Sequence, residues 1–473
     1  MKMAYTTRML KLYNTLSRSV EEFKPLKDDQ VSLYACGMTV YDNAHIGHAK
    51  KYIGDDILVR VLRWDGYEVT HAMNVTDVGH LVSDEDTGED KMEKGARKYD
   101  MSVWDVAHKF EGQFWDSMDA VGNDRPDVLM HATDYIPEQI ALIQTLEKKG
   151  YTYQIEDGIY FDTSKFPHYF DLSRQDPEKL KAGARVEFVE GKKNVSDFAL
   201  WKFSPKTEKR EMEWESPWGV GFPGWHIECS AMSMDAFGPR LDIHTGGIDH
   251  IAIHHTDEIA QSEAATGEKF VNYWVHHNFL LVDGQKMSKS LGNVYSVQDV
   301  IAKGFDPLSL RYLFLTGHYR QEMNFTWESL EAAQTAYKKL IAHVRSLQQE
   351  PTEAVSAEKE ESYEQQFIDS VNDDLNTAKA IATMWDMLKS DLPAGEKITA
   401  LSMMDSILGL QIFKKAEEHE EVLIPQEVLD LLQEREAFRK AGDFTASDEM
   451  RAKISDLGFD VIDSKTGSQL KKK

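Results

Sequence analysis

The order of apolar and polar residues in the first eighty positions predicts alternating strands and helices. The stretch VSLYACGMTVY (31–41) is rich in β-branched and aromatic residues, which is typical of a strand. Residues 42–64 then repeat apolar side chains at helical spacing, and YEVTHAMNVTD (67–77) has the pattern of a second strand. Strand, helix and strand in this order make a βαβ unit, so we predict a doubly wound parallel sheet.

The pattern changes several times farther along the chain. Residues 84–100 are highly charged and are predicted to form an exposed excursion, whereas residues 103–150 are predicted to be helical. Residues 151–215 break into short strands and turns, which indicates an inserted subdomain. After Thr326 the chain is predominantly helical, and the last fifty residues read helix, turn, helix, short strand and a lysine-ended tail.

Length and charge narrow the class of protein. The 473 residues suffice for several domains, and no stretch approaches the ~18 consecutive apolar residues of a membrane span. The N-terminus has no continuous apolar region of a signal peptide, so we predict a cytoplasmic protein. The net charge of −26 argues against a general nucleic-acid coat and favours solubility. The net charge does not exclude an RNA partner, because phosphate contacts depend on local patches of Lys and Arg.

Two short motifs suit the binding of a polyphosphate. His45-Ile46-Gly47-His48 lies where the first strand leads into the first helix, a place that favours an anion. Its imidazoles can donate to phosphate oxygens, and Gly47 allows a ligand close to the backbone. Lys286-Met287-Ser288-Lys289-Ser290 combines two lysines with two hydroxyls and no acid. Each motif alone is equally well a structural turn or a solvated loop, but both in this order predict a clamp on a polyphosphate.

A third pattern raises the question of a metal. In IAIHHTDEIA (251–260), His254 and Glu258 lie one helical turn apart and project from one face. The same pattern is consistent with a solvated polar face. The only two cysteines of the chain, Cys36 and Cys229, are either inert buried thiols or further ligands. A structural disulfide is disfavoured by the expected compartment.

Taken together, the motifs resemble the class I aminoacyl-tRNA synthetases and, more narrowly, the cysteinyl-tRNA synthetase family. The resemblance is carried by YACGMTVYDNAHIGHA, WHIECSAM, GGID followed by two histidines and an acid, DGQKMSKSLGN, and DDLNTAKA, and it covers essentially the whole chain. It implies one Zn²⁺ per chain in the amino-acid pocket, held by Cys36, Cys229, His254 and Glu258. Thiolate, imidazole and carboxylate are all suitable ligands of tetrahedral zinc. His255 and Asp257 are then expected beside the ligands or in solvent.

The resemblance also implies the reaction and its other site residues. Cysteine and Mg-ATP would form cysteinyl-adenylate, and the cysteinyl group would pass to tRNA(Cys), with the catalytic residues His45, His48, Lys286 and Lys289. Residues near ATP would include Gly47, Gly246, Gly247, Asp249 and Lys289. The amino-acid pocket would be lined by Thr76, Trp225 and His244, for which core packing is the alternative role. A monomer that does not bind membranes is the family expectation.

The implied architecture is a Rossmann-like α/β catalytic domain with an inserted subdomain, a helical bundle and a small C-terminal anticodon-binding domain. The implied boundaries are 1–135 and 216–265 for the catalytic halves, 136–215 for the connective insert, 266–326 for the stem-contact region, 327–415 for the bundle and 416–473 for the terminal domain.

The chain departs from the family pattern at several places. Met38 replaces the usual proline, IHHTDE replaces PHHENE, and the 83–95 loop has no derivable role. The tail GSQLKKK lacks the tryptophan often found near this end, which puts anticodon contacts there in doubt. Two rival functions are a ligase that passes cysteine to the amine of a small sugar conjugate, and a binding paralogue without catalysis. The long helical region argues against the first, and the intact histidines and lysines argue against the second.

Overall fold

A computed structural model describes residues 10–79, 90–176, 178, 190–205, 210–350, 357–418, 425–464 and 467–472. The chain divides into two compact units, Met1–Phe413 and Lys414–Lys473. Numbered in chain order, the strands are β1 Lys11–Asn14, β2 Ser19–Glu22, β3 Gln30–Ala35, β4 Glu68–Val75, β5 Val128–His131, β6 Thr152–Ile155, β7 Gly158–Phe161, β8 Phe198–Phe203, β9 Gly221–Pro223, β10 Leu241–Gly247, β11 Val271–His277, β12 Leu280–Val282, β13 Gln285–Lys286, β14 Met323–Phe325, β15 Phe459–Ser464 and β16 Gly467–Lys472. The helices are α1 Ile46–Trp64, α2 Lys91–Tyr99, α3 Val103–Ala120, α4 Ile136–Lys148, α5 Trp225–Phe237, α6 His254–Thr266, α7 Val297–Ala302, α8 Pro307–Leu315, α9 Trp327–Leu347, α10 Ala357–Val371, α11 Thr377–Lys389, α12 Ala394–Leu408, α13 Ile412–Glu417, α14 Gln426–Ala441 and α15 Phe444–Asp456.

A parallel five-stranded sheet with the order β11-β10-β3-β4-β5 is the centre of the first unit. The predicted βαβ unit is confirmed as β3, α1 and β4, and the doubly wound parallel sheet is confirmed with it. The chain adds strands on one side of β3 and later returns to add β10 and β11 on the other. Ligands of such sheets bind where the order reverses, outside the carboxyl ends of the strands. In this chain that place is the adjacent ends of β3 and β10.

Smaller sheets flank this core. An antiparallel sheet of β6-β7-β8-β9 is formed by residues 152–223 between α4 and α5, where short strands were predicted. A three-stranded sheet, β13-β12-β14, carries the lysine motif at the end of β13. Beyond Thr326 the described residues of the first unit are helical, as predicted. Among the described residues, no helix combines the length and the apolar character that crossing a membrane would require.

The charged excursion predicted at 84–100 is wrong for its second half, which is the helix α2. The Asp90 carboxylate accepts hydrogen bonds from the backbone N–H groups of Met92 and Glu93, which begins the helix, and Met92 is buried. One buried face is therefore enough to hold a helix whose exposed residues are all charged. Residues 83–89 of the predicted 83–95 loop lie outside the described residues.

Two other expectations need correction. The helical stretch predicted at 103–150 is interrupted by β5, whose four residues are too few to show a period. The lysine-ended tail was predicted to be a segment without regular structure, but Gly467–Lys472 forms a strand that pairs antiparallel with β15. The predicted order of helix, turn, helix and strand is confirmed in this second unit. Within it, the buried Arg435 donates two hydrogen bonds to the Asp463 carboxylate, at 2.9 and 2.8 Å.

His71 in β4 makes the stability of the protein sensitive to acid. Burial lowers the pKa of His71 to about 4, and its Nε2 has no hydrogen-bond partner among the described residues. The unfolded chain binds this proton near pH 6.5, so the folded state loses stability as the pH falls from about 6.5 to 4. At about 1.4 kcal/mol per pKa unit, the loss amounts to about 3 kcal/mol.

We therefore expect His71→Asn to weaken the pH dependence of the free energy of unfolding, measured with denaturant between pH 7 and pH 4. His108→Asn, which alters an exposed histidine of α3, is the matched control and should leave the slope unchanged. An equal slope in the His71 variant and the unaltered protein would contradict this account.

Candidate active site and metal cluster

The ends of the central strands bring most of the predicted site residues together. Cys36 directly follows β3, Thr76 directly follows β4, and His244 lies in β10 with Gly246 close to its end. The backbone N–H of Cys36 donates to the carbonyl of Thr245 at 3.0 Å, which ties the two strand ends to each other. The site therefore lies at the point where the strand order reverses.

The four residues proposed as metal ligands are neighbours in the fold. Cys36 Sγ lies 3.7 Å from Cys229 Sγ, and His254 Nε2 lies 3.1 Å from Glu258 Oε1. One ligand atom from each residue lies within 4.8 Å of the other three. All four side chains are buried, with at most 3% of their surface exposed. Residues from β3, α5 and α6 thus converge on one point, although 222 positions separate the first from the last.

The side chains of this cluster lie close enough together to shift one another's pKa. Burial by itself raises the pKa of the Cys36 thiol, but a hydrogen bond from Cys229 and the nearby His254 hold it well below its usual value. The same hydrogen bond raises the pKa of Cys229, and burial raises it further. His254 has a raised pKa because the Cys36 sulfur and Glu258 outweigh the effect of burial. The two sulfurs and His254 therefore influence one another's pKa at a buried site.

This set of donors fits a divalent metal. Two sulfurs, one imidazole and one carboxylate form a ligand set typical of zinc. Metal binding requires thiolate sulfurs and a neutral imidazole nitrogen, so binding of an ion would release protons from such ligands. A second group of donors, Cys36, His244, His255 and Glu258, also lies within 4.8 Å and shares two residues with the first.

Histidines surround the cluster, and two of them, His226 and His276, were not among the residues singled out from the sequence. His244 Nε2 lies 2.9 Å from Glu258 Oε2, and His226 Nδ1 lies 2.9 Å from His254 Nδ1. His255 Nδ1 lies 2.8 Å from His276 Nε2. His255 was predicted to lie either beside the ligands or in solvent. Because it is completely buried, it does not lie in solvent. The signal for His276 was its position at the end of a parallel strand, where functional residues of this fold collect.

Asp257, the other residue expected beside the ligands or in solvent, is also completely buried. Its carboxylate accepts a hydrogen bond from the Tyr169 hydroxyl and lies 3.4 Å from His226 Nε2. Because His226 contacts His254, Asp257 is linked to the cluster through one intervening histidine.

His45 and His48 together cap the first helix. The Nδ1 of His45 accepts from the His48 backbone N–H at 3.3 Å, and the Nδ1 of His48 accepts from the His45 backbone N–H at 3.2 Å. The rings stack with centroids 3.7 Å apart. Burial lowers the pKa of His45 to about 4 and that of His48 well below its usual value, so both rings are neutral at pH 7. With each Nδ1 accepting, the ring proton lies on Nε2, which makes both Nε2–H groups donors.

The lysine motif lies against this helix terminus. A Cβ atom added to Gly47 would lie 2.5 Å from the Met287 methyl group, so the two motifs are in direct contact. Lys289 forms an ion pair with Asp42, a residue that sequence reasoning did not single out. The Lys286 ammonium lies instead 5.1 Å from the ring centroid of Phe279. The structure therefore brings Lys289, but not Lys286, next to the histidine pair.

The predicted amino-acid and nucleotide residues lie around the cluster. Thr76 Oγ1 donates to Glu228 at 3.2 Å, and the Trp225 ring lies 4.9 Å from the His254 ring. A Cβ atom on Gly246 would lie 2.5 Å from the His255 ring, and one on Gly247 would clash with Asp249. Asp249 itself is exposed and close enough to influence the pKa of His45. A side chain at Gly246 would therefore fill the space next to His255 and His250.

Comparison with known proteins finds matches over most of the chain. Residues 22–335 match the catalytic domain of class I (C) tRNA synthetases, and residues 366–390 match the DALR domain. The chain is 46% identical to cysteine--tRNA ligase 1 of Burkholderia lata, covering 98% of this chain and 96% of the relative. It is 42% identical to the cysteine--tRNA ligase of Treponema denticola, covering 98% and 99%.

Solved structures show the same fold at low identity. The methionyl-tRNA synthetase of Mycobacterium tuberculosis in complex with methionyl-adenylate superposes with a TM-score of 0.53 at 15% identity, covering 81% of this chain and 90% of that one. The LeuRS of Agrobacterium radiobacter K84 superposes with a TM-score of 0.58 at 12% identity, covering 84% and 86%. Fold, family match and full-length relatives agree, and the chain belongs to the cysteine--tRNA ligases within the class I aminoacyl-tRNA synthetases.

Proposed function

We propose that this ligase activates L-cysteine with Mg-ATP to cysteinyl-adenylate and then transfers the cysteinyl group to the 3′ end of tRNA(Cys). The observation that carries the proposal is the buried cluster of Cys36, Cys229, His254 and Glu258 next to the histidine-capped helix α1, whose Lys51 donates a hydrogen bond to the Cys36 carbonyl at 2.6 Å. A ligand for a thiol and donors for a polyphosphate are thereby adjacent, as the joining of cysteine to ATP requires.

Cys36, Cys229, His254 and Glu258 would hold one Zn²⁺. When bound, this ion supplies selectivity for sulfur, because a soft thiolate is a far better zinc ligand than the neutral hydroxyl of serine. Ordinary contacts separate two side chains of such similar shape poorly. We propose that Trp225 presents its ring to the substrate and that Thr76 and His244 line the same pocket.

The first chemical step needs positioning and charge stabilisation. A carboxylate oxygen of cysteine attacks the α-phosphorus of ATP, the bond to the bridging oxygen of the β-phosphate breaks, and pyrophosphate leaves with that electron pair. We propose that the Nε2–H groups of His45 and His48 donate to phosphate oxygens as charge develops on them. Lys289 would neutralise the leaving pyrophosphate. Lys286, which lies on the same loop, would move to the pyrophosphate together with it. Gly47, Gly246, Gly247 and Asp249 would form the floor of the nucleotide site.

The second step transfers the acyl group. A ribose hydroxyl at the tRNA 3′ end attacks the acyl carbon of the adenylate, loses its proton, and AMP leaves. We propose that residues 266–326 contact the tRNA stem and that residues 416–473 meet the anticodon. A single monomer would suffice for both steps.

The test is charging of unfractionated deacylated tRNA with labelled cysteine, run beside labelled serine, with zinc content measured on the same preparation. We expect charging with cysteine, at least ~100-fold weaker charging with serine, and about one zinc per chain. Cysteine-dependent pyrophosphate exchange without charging would instead identify a small-molecule ligase. Folded protein that contains zinc but shows neither activity would contradict catalysis altogether.

A further inference from the structure

Asp42, which has no role in the proposed reaction, contacts three side chains, those of Lys289, Lys98 and Tyr99. It sits on the segment between β3 and α1, and it forms an ion pair with Lys289. The Tyr99 hydroxyl donates to its Oδ1 at 2.8 Å, and Lys98 Nζ lies 3.2 Å from its Oδ2. One carboxylate therefore joins the lysine loop to the end of α2.

The end of α2 holds this carboxylate in place independently of the loop. A Cβ atom on Gly95 would lie 3.1 Å from the Tyr41 carbonyl oxygen, so α2 packs tightly on the residue that precedes Asp42. At its other end, α2 is anchored by an ion pair between Asp90 and Arg210 whose side chains are both buried. Lys289, in contrast, exposes 69% of its side chain. Asp42 is the fixed partner of this pair, and Lys289 is the adaptable one.

The ammonium of Lys289 has a second use in the proposed function, on which this inference rests. Lys289 is close enough to His45 to lower its pKa, so the ion pair lies beside the proposed phosphate site. A triphosphate carries more negative charge than one carboxylate and competes for the same ammonium. The ion pair stabilises the nucleotide-free state by some free energy. That free energy is lost when Lys289 moves to the phosphates.

We propose that Asp42 is a positioning residue that holds Lys289 at the site before ATP binds and releases it to the triphosphate. The pair then orders the loop in advance but opposes nucleotide binding. Because both effects arise from one interaction, thermodynamic linkage requires that they have the same size. A partly exposed ion pair is worth about a two- to five-fold change in an equilibrium.

Asp42→Asn tests both effects without relying on catalysis. Without nucleotide, we expect hydrogen exchange at the amides of Ser288 and Leu291, which donate to Asn293 Oδ1 and to the Ser288 carbonyl, to be about two- to five-fold faster than in the unaltered protein. With a saturating non-hydrolysable ATP analogue, the exchange rates should become equal. Calorimetry should give a Kd for that analogue lower by the same factor, and high salt should shrink both differences.

Two further variants complete the experiment. Asp283→Asn removes an equal charge from the β12–β13 turn, at a φ of 51° that asparagine tolerates, and should leave loop exchange and Kd unchanged. Lys98→Met removes the other ammonium from Asp42 and should not loosen the loop. A weaker Kd in Asp42→Asn would overturn the inference by making Asp42 part of the nucleotide site, as would no change in either quantity. Failure of the unaltered protein to bind the analogue would overturn the proposed function itself.

Discussion

Replacing Cys229 with serine is expected to remove zinc and to abolish cysteine charging. A structural zinc site with four ligands contributes about 10–16 kcal/mol, so one ligand accounts for roughly 2.5–4 kcal/mol. The affinity for zinc should therefore fall about 100- to 1000-fold, as measured by competition with a chromophoric chelator. The hydroxyl is nearly the same size as the thiol, but it stays protonated at neutral pH and does not replace a thiolate ligand.

The expected loss of charging is at least as large, because the cluster loses a ligand and Cys36 loses its contact with the Cys229 sulfur. Ser233→Ala is the matched control, since it alters a buried hydroxyl on the same helix, one turn beyond the cluster. The control should keep both zinc and activity. Full activity of the serine variant at limiting zinc would show that Cys229 is not a ligand.

The second large effect is expected at His45, where two substitutions separate two roles. His45→Ala removes the cap of α1 and the Nε2–H donor, whereas His45→Asn replaces the cap with another good one but lacks a donor at the same reach. Removal of a donor that stabilises transition-state charge costs about 10²–10³ in rate. Both variants should therefore lose pyrophosphate exchange to this extent.

The stability of the two variants should differ. Loss of an N-cap costs about 1 kcal/mol, so only His45→Ala should show a lower free energy of unfolding, measured with denaturant at pH 7. If His45 were only a helix cap, the asparagine variant would be both stable and active. That result would remove His45 from the catalytic residues.

Local patterns of the sequence predict most of the sheet but not its short or charged elements. The βαβ unit was readable because helical and strand periods are long enough there to be distinguished. Strand β5 and helix α2 were not, since four residues show no period and α2 is highly charged with one buried apolar face. Their places are decided by the neighbours on which they pack, which local patterns do not contain.

The residues at the site divide in the same way. Sequence alone determined the motif around His45 and His48, the lysine loop, and the i and i+4 spacing of His254 and Glu258, because each is local in the chain. Only the tertiary structure decided that Cys229 Sγ lies 3.7 Å from Cys36 Sγ across 193 positions.

The ion pair between Lys289 and Asp42 also depends on the tertiary structure, since 247 positions separate the two residues. Lys98 and Tyr99 reach the same carboxylate from α2, a segment that its charge pattern assigned to solvent. Short local motifs thus determine which functional groups the site contains. The contacts between motifs are set by how a parallel sheet brings distant strand ends to one edge.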